Sequence, residues 1–144
     1  MSPAPERFFL DTDIFVYTFD GRAPSKRARA SSLVAQALDT RLGIVSYQVV
    51  QEFLNVAIRK FTKPMLAAEA QPYLARVLMP LCEVFPDATL YSQALSIGSE
   101  AHLSFYDSLI VSSAIAGGCR ILWTEGLQHR QRIRGVEIRN PFVD

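Results

Sequence analysis

Four carboxylates stand where an apolar run stops or a helix opens: Asp11, Glu52, Asp107 and Glu125, with Asp13 as a near neighbour of the first. Carboxylates brought together repel one another unless something compensates. A divalent cation is the usual answer, and hard oxygen ligands select magnesium or manganese. Two such ions about 3.5–4 Å apart can activate water and stabilise the leaving oxygen of a phosphodiester. No serine–histidine or cysteine–histidine pairing competes for a different chemistry. Each acid also has a plain structural reading. Thr12 or Asp13 could cap a helix. Ser104 and Asp107 have the spacing of a capping box. Glu52 could be a solvated helix acid, and Glu125 a loop acid. Their placement together at element ends is what points to a site.

The elements must put these acids on one edge. The stretch FFLDTDIFVY (residues 8–17) reads as a buried strand over 7–10 that stops on Asp11 and turns straight into a helix over 13–19. Residues 25–39 form a second helix with basic first turns. A short strand over 43–46 leads, through Ser46 as N-cap, into a helix over 47–60. Its apolar stripe runs Val49, Val50, Phe53, Leu54, Ala57 and Ile58, with Glu52 beside it. A helix over 65–79 should bend or split at Pro72. A third strand covers 81–85, and a helix covers 88–101. The helix from Ser104 is apolar nearly all round, which predicts burial, and Gly117-Gly118 ends it. A fourth strand spans 119–124. A polar helical stretch should then precede an edge-type strand over 136–139. Short apolar strands alternating with helices predict an α/β fold, a mainly parallel sheet wrapped by helices. In such a sheet ligands gather at the carboxyl ends of the strands. Asp11 and Glu125 follow strands one and four. Glu52 and Asp107 open helices at the same edge.

The 144 residues fit a single domain over 1–144, preceded by a polar arm at 1–6. Apolar residues make up 49% and charged residues 20%, enough for a core and unlike a disordered chain. A net charge of +1 does not announce a nucleic-acid binder, so such a role needs a local basic patch. Two clusters offer one: Arg22, Lys26, Arg27 and Arg29, and then Arg120, Arg130, Arg132, Arg134 and Arg139. Solvated surface is the simpler reading of both. Cys82 and Cys119 read as buried thiols of a reducing compartment. Two histidines without a Cys/His spacing argue against a structural zinc site. There is no signal-peptide pattern and no apolar run long enough to span a bilayer, so the expected location is the cytoplasm.

Four segments in this order, FFLDTDIFVY, SYQVVQEFLNV (46–56), LSFYDSLIVSSA (103–114) and ILWTEGLQHRQRIRGVEIRNPF (121–142), resemble a PIN domain, specifically a VapC-type toxin ribonuclease. The resemblance covers essentially the whole chain. It implies a three-layer α/β/α fold and a Mg²⁺- or Mn²⁺-dependent endoribonuclease acting on RNA. It also implies a cognate antitoxin as partner, and a homodimer. Asp11 and Asp107 fall on its principal metal ligands, and Glu52 on the acid that completes the metal shell or positions water. Two departures stand out. Asp13 replaces the Asn common two residues after the first Asp. Gly126 occupies the position of a fourth acid, with Glu125 one residue early. On this reading Arg130 and Arg132 contact the RNA backbone.

Two other functions compete. Asp11-Thr12-Asp13 also suits a haloacid-dehalogenase-like phosphatase, with Asp11 as nucleophile and Asp13 as general acid. That class requires a later lysine and an acidic pair, and the only lysine after Lys60 is Lys63, before Pro64. A phosphate-accepting receiver domain fails for the same missing lysine. A degenerate PIN domain that binds RNA or protein without cutting is the non-enzymatic alternative, kept open by Gly126.

Overall fold

Strands with both faces covered need no polar alternation, so they appear in sequence as short, wholly apolar runs. In the computed structural model, which describes residues 6–143, β1 (Phe8–Leu10) and β4 (Ile121–Trp123) are such runs, β2 (Gly43–Ser46) is buried throughout and ends on Ser46, and β3 (Cys82–Val84), at the sheet edge, alternates with Glu83 exposed. They are joined by β5 (Arg132–Ile133) and β6 (Val136–Arg139) in one sheet of order β3-β2-β1-β4-β6-β5. Only β5 is antiparallel to its neighbour. Of the arm read at 1–6, and of the residues weighed as a signal peptide, only Glu6 lies among the described residues.

Helices cover both faces. α1 (Thr12–Tyr17) and α2 (Pro24–Thr40) connect β1 to β2; α3 (Tyr47–Arg59), α4 (Ala67–Tyr73) and α5 (Met79–Leu81) connect β2 to β3; α6 (Ala88–Ala101) and α7 (Phe105–Ala116) return to β4. A Cβ on Gly43 would lie 2.4 Å from Cβ of Ala37 in α2, whereas one on Gly117, at the end of α7, would lie 2.2 Å from Cδ1 of Ile44. Gly43 and Ile44 are successive strand residues facing opposite ways, so α2 and α7 pack on opposite faces of β2. α7 is buried from Ser108 to Ala114, as its apolar surface predicts. The split expected at Pro72 does not occur there: α4 continues through Pro72 to Tyr73, and a π-helical turn follows at Leu74–Leu78. The proline that follows the widened turn is Pro80, which has no N–H to donate and crowds the turn before it.

Gly43→Ala should lower stability by about 1–3 kcal/mol. The new methyl would also stand 2.5 Å from Phe8 Cε2, and neither neighbour is a flexible side-chain end. Urea denaturation of the two proteins measures this.

Two expectations fail after β4. No helix forms between β4 and β5, and the strand at 136–139 is not an edge. β6 is paired on both sides, to β4 and to β5. The cause is a two-residue hairpin loop, Arg134 (φ 47) and Gly135 (φ 84), whose positive φ values are those of a type I′ turn. Arg134 is held there by an ion pair to Glu100, 2.6 Å. The apolar alternation of β6 therefore reports burial, with Val136 and Ile138 in the core. Both cysteines are free and buried. Among the described residues no helix is long and apolar enough to cross a membrane.

Candidate active site

β1 passes into α1 with no residue between its last strand position and its cap. The residue that caps α1 is therefore Asp11 itself, in extended conformation, and not Thr12 or Asp13. One carboxylate oxygen of Asp11 accepts the Thr12 N–H at 2.7 Å, and the other accepts the Thr124 hydroxyl at 2.8 Å. Thr124 follows β4, and the Asp11 N–H donates to the Trp123 carbonyl at 3.0 Å. Successive crossovers run outward from β1 to β2 and β3, then return to β4 on its other side. Asp11 and Thr124 therefore sit at the point where strand order reverses, which is where open α/β sheets bind ligands.

Asp13 ties the same two elements together. Its Oδ2 accepts the Glu125 N–H at 2.9 Å and faces the Thr124 hydroxyl at 3.4 Å. Its Oδ1 is buried without a partner among the described residues. Glu52 lies on the polar stripe Gln48–Glu52–Asn55 of α3, opposite Val49, Phe53 and Ala57 in the core, and its Oε1 accepts the Thr12 hydroxyl at 2.7 Å. Ser46 occupies the N-cap of α3 but makes no capping bond, and its hydroxyl is buried and unpartnered among the described residues.

Asp107 is in the first turn of α7. Half of the expected capping box forms: the Ser104 hydroxyl accepts the Asp107 N–H at 3.2 Å. The Asp107 carboxylate has no partner among the described residues and is exposed. Gln48 fixes where it stands, because its amide donates to the Tyr106 carbonyl at 3.3 Å and so ties α3 to the first turn of α7. Glu125 is differently placed. Tyr17 donates to one of its oxygens and Lys26 to the other, each at 2.5 Å.

All five acids line one cleft of about 560 Å³, together with Thr12, Gln48, Asn55, Lys60 and Tyr106. Burial, and then the charges of Asp13 and Glu52, push the Asp11 carboxyl up to about 7, against the hydrogen bonds from Thr12 and Thr124. Burial likewise raises Asp13, to about 6, with the Glu125 charge adding to it. Burial works against the Glu125 charge too, but the Lys26 and Tyr17 hydrogen bonds outweigh it and hold that carboxyl below its usual range. The cleft thus carries negative charge that only one of its acids has neutralised.

Among the described residues no three acidic, histidine or cysteine side chains are close enough to enclose an ion as they are placed. The donor chemistry nevertheless fits a hard divalent cation. Asp11, Glu52 and Asp107 offer carboxylate oxygens, and the raised Asp11 and Asp13 carboxyls are what uncompensated acids show. Sequence reasoning passed over Gln48, Asn55, Lys60 and Tyr106, and the clamp on Glu125. The spacing of Gln48, Glu52 and Asn55 along one helical face was the available signal.

Glu125→Gln should change divalent-cation affinity by less than about threefold, far below the 10–100-fold typical even of residues that only orient ligands. Both Glu125 oxygens already have partners. A tenfold loss in a calorimetric titration would place Glu125 among the ligands.

No curated protein sequence matches the chain significantly. Among the solved structures that share its fold are the following three. A toxin–antitoxin complex from Klebsiella pneumoniae aligns with a TM-score of 0.66 at 18% identity, over 92% of this chain and 96% of that one. VapBC2 from Rickettsia felis, bound to a DNA fragment from its promoter, aligns at 0.60 and 22%, over 92% and 97%. VapC20 from Mycobacterium tuberculosis, a toxin that cleaves the sarcin–ricin loop, aligns at 0.54 and 19%, over 80% and 86%. Structures this distant in sequence establish the fold, the mostly parallel sheet flanked by helices. The PIN domain model matches residues 8–133, from the first residue of β1 to the last of β5, and the chain therefore belongs to the PIN domain family.

Proposed function

We propose that the protein is a Mg²⁺- or Mn²⁺-dependent endoribonuclease, the toxin of a type II toxin–antitoxin pair acting in the cytoplasm. The observation that carries this reading is the convergence of Asp11, Glu52 and Asp107, from β1, α3 and α7, on one cleft at the strand-order reversal. These three residues would hold the cation. When bound, it lowers the pKa of water and neutralises charge on the scissile phosphate. The surrounding residues prepare the acids. Thr12 holds Glu52, Thr124 holds Asp11 with Asp13 beside it, and Gln48 sets the first turn of α7 that carries Asp107. The phosphatase reading does not survive the family match.

The fold shared with toxins of toxin–antitoxin complexes supports an antitoxin as partner. The exposed apolar side chains Ile58, Leu66, Met79 and Phe85 supply surface for it and for a second copy of the chain. A structured RNA should be cut when Mg²⁺ or Mn²⁺ is supplied and left whole in EDTA. An RNA that is bound but never cut would favour the non-cleaving alternative, which the engagement of Glu125 by Lys26 also fits.

A further inference from the structure

A strand of RNA laid across five carboxylates must find its cations elsewhere. Among the described residues Lys60 is the only basic one lining the cleft, and Lys26 is already paired with Glu125. The opposite kind of cavity opens nearby. It holds about 230 Å³ and is lined by Arg29, Trp123, His129, Arg130, Arg139 and Asn140 among others, with no acid among the described residues.

This pocket adjoins the cleft through two short links. Trp123 precedes Thr124, the residue bonded to Asp11. Arg29 is one helical turn, about 5 Å, beyond Lys26, which is bonded to Glu125. Trp123 and Arg139 are register partners on β4 and β6 and so lie side by side on one face. The guanidinium carbons of Arg29 and Arg139 stand 5.3 and 5.8 Å from the Trp123 ring centroid. A guanidinium in a cation–π contact still has N–H donors lying in its own plane, where a phosphate can meet them. Arg139 gives Nε and Nη2 to Glu137. Arg29 and Arg130 pair with no carboxylate among the described residues. Arg130 is held at φ 71, its N–H bonded to the Ile138 carbonyl at 2.7 Å. His129 accepts the Asn140 N–H on Nδ1, which leaves the proton on Nε2, and Nε2 is buried without a partner among the described residues. A buried donor of that kind is costly unless an acceptor arrives.

We propose that the pocket formed by Arg29, Trp123, His129, Arg130 and Arg139 binds a phosphate of the RNA strand, outside the position that is cut. The proposal rests on the ribonuclease reading for the identity of the strand, but not for the anion chemistry of the pocket. Arg139, Asn140 and the rest of the chain after residue 133 lie beyond the PIN domain match. The pocket is thus partly built from this chain's own C-terminal segment. Of the two arginines expected from the sequence at the RNA backbone, Arg130 lines the pocket, whereas Arg132 is turned to Glu137 at 3.1 Å.

Trp123 is the only tryptophan of the chain, so its emission reports on this pocket alone. The test titrates the wild type and an Arg29→Gln/Arg130→Gln double variant with single-stranded RNA in EDTA, at several salt concentrations, and separately with inorganic phosphate. The melting temperatures of the two proteins confirm folding, since both arginines are exposed. The wild type should change its Trp123 emission with RNA and with millimolar phosphate. The double variant should bind RNA at least about tenfold more weakly, with a salt slope shallower by about 0.7, the one phosphate contact that the pocket makes on a single strand. Equal affinity and slope in the two proteins would overturn the pocket and leave the ribonuclease reading standing. If the wild type neither binds nor cuts RNA, that reading fails, and the phosphate titration decides the pocket. An emission change lost in the variant keeps it as an anion site, and no change removes it. An answer to polyglutamate as strong as the answer to RNA would assign the pocket to an acidic protein and overturn the proposal.

Discussion

Asp107→Asn should reduce metal-dependent RNA cleavage by more than about a hundredfold, beyond the 10–100-fold typical of residues that merely orient a ligand, and should barely move the melting temperature. The expectation comes from what the carboxylate does not do. It is exposed and makes no hydrogen bond among the described residues; only its backbone N–H is used, by Ser104. Its structural worth is a favourable charge near the N-terminus of α7, about 0.3–1 kcal/mol. Ser104→Ala is the complementary variant. It removes the cap of α7, costing about 1 kcal/mol, and leaves every carboxylate in place. Cleavage lost with stability kept, beside stability lost with most cleavage kept, separates a ligand from a helix-start acid. Equal cleavage by wild type and Asp107→Asn would return Asp107 to its capping role.

That contrast shows what was legible in the sequence. Asp107 has an acid's ambiguity, because Ser-x-x-Asp serves a cap and a site equally. Only the position of the unused carboxylate separates the two. β1 and β4 were readable because burial on both faces leaves short apolar runs, and α7 because burial on all sides leaves no polar stripe. Gly126 and Glu125 mark a departure from the family pattern. What Glu125 does there depends on Tyr17 and Lys26, distant in the chain and brought in by α1 and α2. The turn at Arg134-Gly135 was missed for a different reason. An arginine at a left-handed position is uncommon, so the usual Asn-Gly or Asp-Gly signal was lacking, and a polar segment passed for helix. The cap of α1 was misplaced because a strand that ends where a helix begins makes one residue serve both, and that residue is Asp11.

Asp11 therefore has three duties: helix cap, partner of Thr124, and the acid most disfavoured in its charged form. The last duty sets a stability cost with a definite sign. Its carboxyl rises from 3.8 to about 7 on folding, so between those values the native state binds more protons than the unfolded one. The contribution of Asp11 to stability then falls as pH rises through this window and levels off above it. Asp11→Asn keeps a side chain that caps well and deletes the charge. Without divalent cation, the variant should be more stable than wild type at pH 8 by about 1–3 kcal/mol, below the limit set by a shift of this size at 1.36 kcal/mol per unit. That corresponds to a melting temperature higher by several degrees, with little difference near pH 4. The gain includes loss of the repulsion between Asp11 and Asp13, which is part of the Asp11 shift. Adding Mn²⁺ at pH 8 should raise the wild type and not the variant, because a ligand stabilises only the state that binds it. The variant should nonetheless be the worse enzyme by more than about a hundredfold, for the reason given for Asp107. A variant less stable than wild type at pH 8 would mean that the hydrogen bonds from Thr12 and Thr124 outweigh the repulsion. The acids of the cleft would then be at rest without a cation, and the electrostatic case for one would be gone.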